Sequence, residues 1–237
     1  MGIKQLRGYG KPLSIFERLP KAVEKEMKRE GMRIMRKNLG LIKTPQLLFL
    51  VLRERKRMSA QDLSFVRQKG LTSEKFIEDQ VMMAAVFSAL SRMVGKEKAL
   101  EISCEIIESA GPAVLENMMP KPEEFNAMDD PFDAFKQYYT AMMAADKRAG
   151  LHDFEVIEDG ENAFQLNLTY CAYCEIPKQL GIIEACQPSC YSDGVFFREY
   201  CEKLGMRFIR KETLARGNDV CDFRFERTSR QGASAPE

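Results

Sequence analysis

Phe164-Gln165-Leu166-Asn167-Leu168-Thr169-Tyr170-Cys171 decides the class of fold. Large apolar side chains alternate with polar or small ones, the period of a strand with one face on a core. A period of two puts Asn167, Thr169 and Cys171 on one face and Phe164, Leu166 and Leu168 on the other. Upstream, residues 154–157 predict a partner strand, and Asp159-Gly160 is turn chemistry between them. Downstream, short helices are expected over 175–180 and 193–204, the second stopped by Gly205. Residues 206–211 and 220–226 predict two further strands around a loop containing Arg216-Gly217-Asn218.

Before Gly150 the period is helical. Residues 20–38 form a charged helix with a sparse apolar face (Val23, Met27, Ile34), and 45–56 a short apolar one ending in a basic run. Ser73 followed by Glu74 signals a helix start, and 76–94 is apolar nearly all round, which marks a buried helix. A helix over 96–109 is expected to stop at Gly111-Pro112. A loop follows at 118–122, and Asp130-Pro131 opens a last helix with an N-cap and a proline in its first turn. The architecture read from this order is α+β, a helical N-terminal half packed on a small, mostly antiparallel C-terminal sheet. Residues 1–70 read as a basic helical segment, 71–227 as an α+β unit, and 228–237 as a disordered polar tail.

The 237 residues carry a net charge of +1, which hides an asymmetry. Residues 1–60 hold 16 Lys or Arg against 5 Asp or Glu, while the rest of the chain holds 20 against 30. Glutamates interleave with the basic residues, and there is no tryptophan, so a solvated helix face fits better than a nucleic-acid surface. No apolar run approaches the ~18 residues of a transmembrane helix, so no integral membrane association is expected. The N-terminal residues lack the pattern of a signal peptide, which points to a cytoplasmic protein. A homo-oligomer stays open. Six of the seven cysteines fall within residues 171–221. In a reduced compartment, thiols so dense point to catalysis or metal. His152 is the one histidine, so a zinc site with several imidazoles is excluded.

A set of motifs in residues 150–227 resembles the L-2-amino-thiazoline-4-carboxylic acid hydrolase family. They are Asn167-Leu-Thr-Tyr-Cys171-Ala-Tyr173-Cys-Glu175, Leu180-Gly181, Cys190-Tyr-Ser-Asp193, Arg210-Lys-Glu-Thr213-Leu-Ala-Arg-Gly217 and Cys221-Asp222-Phe223-Arg224-Phe225. The resemblance implies a hydrolase that opens the ring of 2-amino-thiazoline-4-carboxylate with water to give N-carbamoyl-cysteine, without a cofactor. Cys174, Cys186, Cys201 and the basic N-terminal segment lie outside the family's pattern, which leaves room for a metal or a changed substrate.

Opening a cyclic isothiourea needs a nucleophile at C2, a proton donor and a cation for the carboxylate. A thiolate is the strongest nucleophile the chain offers, and Cys171 and Cys190 are the candidates. Alternatively a carboxylate activates water directly, and Asp193 is the candidate base, with N-capping of the helix after it as the simpler role. The resemblance adds Cys221 and Asp222 to the catalytic set, but strand alternation sends them to opposite faces and the sequence does not decide which one enters the pocket. Arg210 is the carboxylate clamp. Asn167, Tyr173, Thr213 and Gly217 are the other substrate-binding candidates, the last two bracketing a loop. His152 reads as structural. The rival reading is a non-catalytic binding or sensor protein. In it Cys171-x2-Cys174 and Cys186-x3-Cys190 hold zinc or an iron–sulfur cluster.

Overall fold

The computed structural model describes residues 2–12 and 19–228, with the backbone alone for 110–115 and 117. Helix α1 (Lys21–Ser59) joins the two helices expected at 20–38 and 45–56. They meet at a break where Gly40 takes φ +77°, and Pro45 lies inside the second half just past its first turn, where it forfeits one helical hydrogen bond. The short α2 (Ser64–Gln68) leads to the buried α3 (Glu74–Val94), capped by the Ser73 hydroxyl, which accepts from Phe76 N–H at 3.2 Å. Helix α4 (Lys96–Met118) does not stop at Gly111-Pro112 as expected. A proline forfeits one helical hydrogen bond, and packing of α4 along α1, α3 and α8 holds the helix through it. Residues 122–126, partly expected as loop, form the one-turn α5 (Pro122–Asn126). In α6 (Pro131–Arg148) Asp130 caps Phe132 and Asp133 N–H at 3.0 and 3.1 Å, with Pro131 in the first turn.

The second half holds β1 (His152–Asp159), β2 (Ala163–Cys171), α7 (Ala172–Gln179), α8 (Gln187–Lys203), β3 (Met206–Ile209) and β4 (Cys221–Arg227). The sheet is antiparallel throughout, in the order β1-β2-β4-β3. The fold is therefore α+β, a helical half followed by a small antiparallel sheet. Of the tail, Thr228 alone is described, and its N–H donates to Gly205 C=O at 2.9 Å. The remaining tail lies outside the described residues.

Two groups of buried side chains organise the molecule. Ile34, Leu47 and Met58 of α1 pack with Phe76 and Leu90 of α3, Ile102 of α4 and Ile176 of α7. Glu54 is buried among them and satisfied by Arg57 and Arg92, each at 3.0 Å, and by Ser88 at 3.2 Å. The other group is aromatic. Phe135 and Tyr138 of α6 and Phe197 and Tyr200 of α8 cover Phe164, Phe223 and Phe225 of the sheet.

Candidate active site

The turn from α6 into β1 makes the first contact of the site. Gly150 takes φ +70°, Leu151 N–H bonds to Asp146 C=O at 2.9 Å, and Gly150 N–H bonds to Lys147 C=O at 3.1 Å. This is a Schellman ending, and it folds the chain back so that Asp146 and His152 meet. His152 Nδ1 lies 3.0 Å from Asp146 Oδ2, with Asp146 fully buried. A Cβ on Gly150 would stand 2.3 Å from Leu71 N, so the backbone crossing here excludes any other residue.

The second contact comes from the sheet. His152 and Cys171 are register partners on β1 and β2, and their side chains hydrogen-bond. Strict alternation would put Cys171 opposite Leu168. The pairing instead jumps from Asp153↔Tyr170 to Phe154↔Leu168, leaving Thr169 as an extra residue on β2. This bulge reverses the parity, so Cys171 is buried on the same side as Phe164, Leu166 and Leu168. The expected polar face shared by Asn167, Thr169 and Cys171 is thus corrected. Cys171 is also the residue before α7, whose first N–H groups face outward from the helix start.

Asp146, His152 and Cys171 line one small cavity of about 80 Å³ together with Tyr139, Cys190, Asp193 and Cys221. Burial works against a charged imidazole at His152. The Cys171 sulfur and the Asp146 carboxylate outweigh it, and the His152 pKa is pushed up to about 10. Tyr173 stacks on His152 at 5.8 Å between centroids and meets Phe76 edge-on at 4.8 Å, which fixes the ring plane. Burial pushes the Cys190 thiol well above its ordinary pKa, with Asp193 adding to the shift, and pushes Cys221 up to about 12. Burial also raises the Asp193 carboxyl, while Arg210 pulls the other way.

The other expected site residues fall in different places. Helix α8 starts at Gln187, six residues earlier than expected, so Asp193 sits inside the helix and is not its N-cap. Arg210 Nη1 donates to Asp193 at 2.9 Å and its other nitrogen to Cys190 C=O, so the expected carboxylate clamp is already occupied. Cys221 faces the cavity and Asp222 faces away. The Asp222 carboxylate accepts the N–H groups of Lys211 and Glu212 at 2.9 and 2.6 Å and shapes the loop after β3. Asn167 accepts from Gln165 at 3.0 Å on the face away from the cavity. Thr213 and Gly217 belong to a self-closed loop, where Gly217 (φ +84°) bonds to Leu214 C=O. Sequence reasoning passed over Asp146 and read His152 as structural. The signal was present in Asp146-x3-Gly150-x-His152, a helix end whose Schellman geometry brings the first and last residues together.

The sulfurs of Cys174, Cys186 and Cys190 lie within 4.8 Å of one another. Cys171 is not among them, so the four expected metal ligands are not assembled as a set. Cys174 and Cys186 are joined as a disulfide, with Cα atoms 5.2 Å apart, where reduced thiols were expected. The turn at Ile183–Cys186 packs against α7 and brings the two residues to disulfide distance. Cys190 Sγ remains a thiol, 3.8 Å from Cys186 Sγ.

The fold and cavity define an α+β protein with a buried cysteine, histidine and aspartate in hydrogen-bonded sequence. Residues 75–225 match the family L-2-amino-thiazoline-4-carboxylic acid hydrolase, and the chain belongs to that family. No curated protein matches it. Among solved structures, the Fe(II) unliganded H-NOX protein from K. algicida is 11% identical, with 87% of this chain and 97% of that chain covered and a TM-score of 0.33. A mutant of that protein is 12% identical, with 86% and 96% covered and a TM-score of 0.31. At such scores neither bears on the site. No helix among the described residues is long and apolar enough to cross a membrane.

Proposed function

We propose that the chain is a cysteine-dependent hydrolase of a small cyclic C–N/C–S substrate bearing a carboxylate, with 2-amino-thiazoline-4-carboxylate as the reference case. The observation that carries the proposal is the continuous contact Asp146–His152–Cys171 inside one small cavity. Family membership supports the hydrolase class.

Asp146 orients the imidazole through Nδ1 and leaves Nε2 to Cys171. The imidazole stands beside the Cys171 sulfur, and a proton passed between them turns the thiol into a nucleophile. The Cys171 thiolate adds to C2 of the substrate, and the imidazolium gives its proton to the leaving side. The ring C–S bond breaks and its electron pair stays on the departing sulfur, which takes that proton. An isothiourea on Cys171 results. Water then adds to the same carbon, its proton passing to His152. Collapse expels the Cys171 thiolate and leaves the carbamoyl group. The net change is one water consumed.

Cys190 is the weaker nucleophile because burial and Asp193 both disfavour its thiolate. Asp193 remains the alternative base for direct attack by water. The test is turnover of 2-amino-thiazoline-4-carboxylate by Cys171→Ser and Cys190→Ser. Cys171→Ser is expected to lose about 10³-fold or more, with Cys190→Ser close to the parent. Full activity in both would remove the thiol mechanism.

The metal reading keeps one supporting observation, the cluster of Cys174, Cys186 and Cys190. It requires the disulfide to be reduced first and gives three sulfurs where four were expected. Elemental analysis of anaerobically reduced protein tests it, and a metal-free chain would end it.

A further inference from the structure

We propose that the cleft on the outer side of α8 is a binding site for a phosphate-bearing small molecule, separate from the cavity around Cys171. This inference does not rest on the hydrolase reading. The cleft has a volume of about 540 Å³ and is lined by residues of α4, α8, the end of β3 and the turn at Leu214–Arg216. Its charged lining is Arg198, Arg210, Lys211 and Arg216, with no Asp or Glu. Of these four, an ion pair among the described residues engages Arg210 alone, through Asp193.

Carboxylates around the cleft are already committed, Asp193 to Arg210 first among them. Glu108 accepts from the Tyr191 hydroxyl at the rim. Asp222 holds the backbone N–H groups of Lys211 and Glu212. Three cations therefore face a concave surface with no protein counter-charge of their own, and such a field concentrates anions.

A second observation points to a ligand. Thr213 lines the same cleft and is 5% exposed, and its hydroxyl has no hydrogen-bond partner. Native proteins rarely leave a buried hydroxyl unmatched, because the group has lost water and gained nothing. An oxygen-rich anion that reaches this oxygen, which is closed to solvent in the unliganded chain, supplies the missing acceptor. The charge count selects phosphate over a single carboxylate. A phosphate monoester carries about −1.5 to −2 at neutral pH and presents three acceptor oxygens, which guanidinium groups meet in pairs.

Cys190 lines both the cleft and the inner cavity, and Arg210 of the cleft pairs with Asp193 of the cavity, so an anion bound outside shares a guanidinium with Asp193.

Titration calorimetry on the full chain tests the site, with pyrophosphate as the ligand in chloride at constant ionic strength and acetate as the control. One saturable site per chain is expected, with acetate failing to compete. Arg198→Gln combined with Arg216→Gln, both at exposed positions, is expected to weaken pyrophosphate at least tenfold. Thr213→Val is expected to weaken binding several-fold while leaving the unliganded protein as stable as the parent or more so, since it removes an unmatched hydroxyl. Absence of saturable binding, or binding indifferent to the double variant, would overturn the site. Equal competition by acetate would overturn its assignment to phosphate. Loss of stability in Thr213→Val without ligand would show that the hydroxyl already has a partner and would remove the second observation.

Discussion

The two ends of β2 obey different rules. From Phe164 to Leu168 the strand alternates strictly, and each inward residue meets an inward partner on β4: Phe225, Phe223 and Cys221 in turn. Phe225 meets Phe135, Tyr139 and Phe197 edge-on at 4.9–5.6 Å, so this end is a packed aromatic core. Past Leu168 one residue too many sits on the strand, the parity reverses, and a thiol arrives beside an imidazole. The pairing with β1 slips at both ends, but the extra residue beside Gln165 is Ile157 of β1 and leaves the alternation of β2 intact, whereas Thr169 re-aims β2 itself and makes a site.

Inserting one residue between Asp153 and Phe154 breaks this comparison most severely. Thr169 then gains a partner, strict alternation carries to the strand end, and the Cys171 side chain turns out of the cavity. Turnover is expected to fall by about 10³-fold or more, since even a 1 Å misplacement costs roughly 10². Circular dichroism should remain that of the parent. Activity surviving the insertion would show that the bulge does not aim the thiol.

Phe225→Ala probes the regular end. Truncating a fully buried phenylalanine costs about 3–5 kcal/mol in urea unfolding, while turnover per folded molecule should change little. A large loss of turnover at unchanged stability would mean that the two ends are not separate in role. Asp146→Asn probes the irregular end from behind. It keeps the shape but removes the charge that holds the imidazole, and a loss of about 10²-fold in kcat is expected. It should fall mainly on kcat, because Asp146 acts through His152.

The same division explains what the sequence disclosed. The alternation at 164–168, the Asp130-Pro131 helix start and the apolar 76–94 stretch are local patterns, and the structure follows them. The resemblance led to Cys171 through its motif, but the period placed it on the wrong face. A bulge is a property of two paired strands, and a single strand's sequence carries no count of its partner's residues. Arg210 read as a free clamp because its pairing with Asp193 spans two elements. His152 read as structural because its partner Asp146 lies across a helix end. Those residues are six apart in sequence, so that contact was within reach of local reasoning about Gly150.

The smallest effect is also the most specific. His152 has a pKa of about 10 in the folded chain against an ordinary value of ~6.5 unfolded. The folded state therefore holds this proton more tightly, and the resulting stability is complete below pH ~6.5 and disappears as pH rises through about 10. Cys201 and Cys221 are raised by burial, so they too lose stability with rising pH, but only above the ordinary thiol value of ~8.5. Between pH ~6.5 and ~8 the contribution of His152 stands apart from theirs. Urea midpoints across that window should fall with pH in the parent. The fall should be shallower in Asp146→Asn and in Cys171→Ser, because each removes one of the two groups that hold the proton on His152. Phe225→Ala should lower every midpoint and leave the slope unchanged, since nothing at the regular end touches that proton. A slope that survives both site substitutions would place the proton on some other group and sever Asp146 and Cys171 from His152.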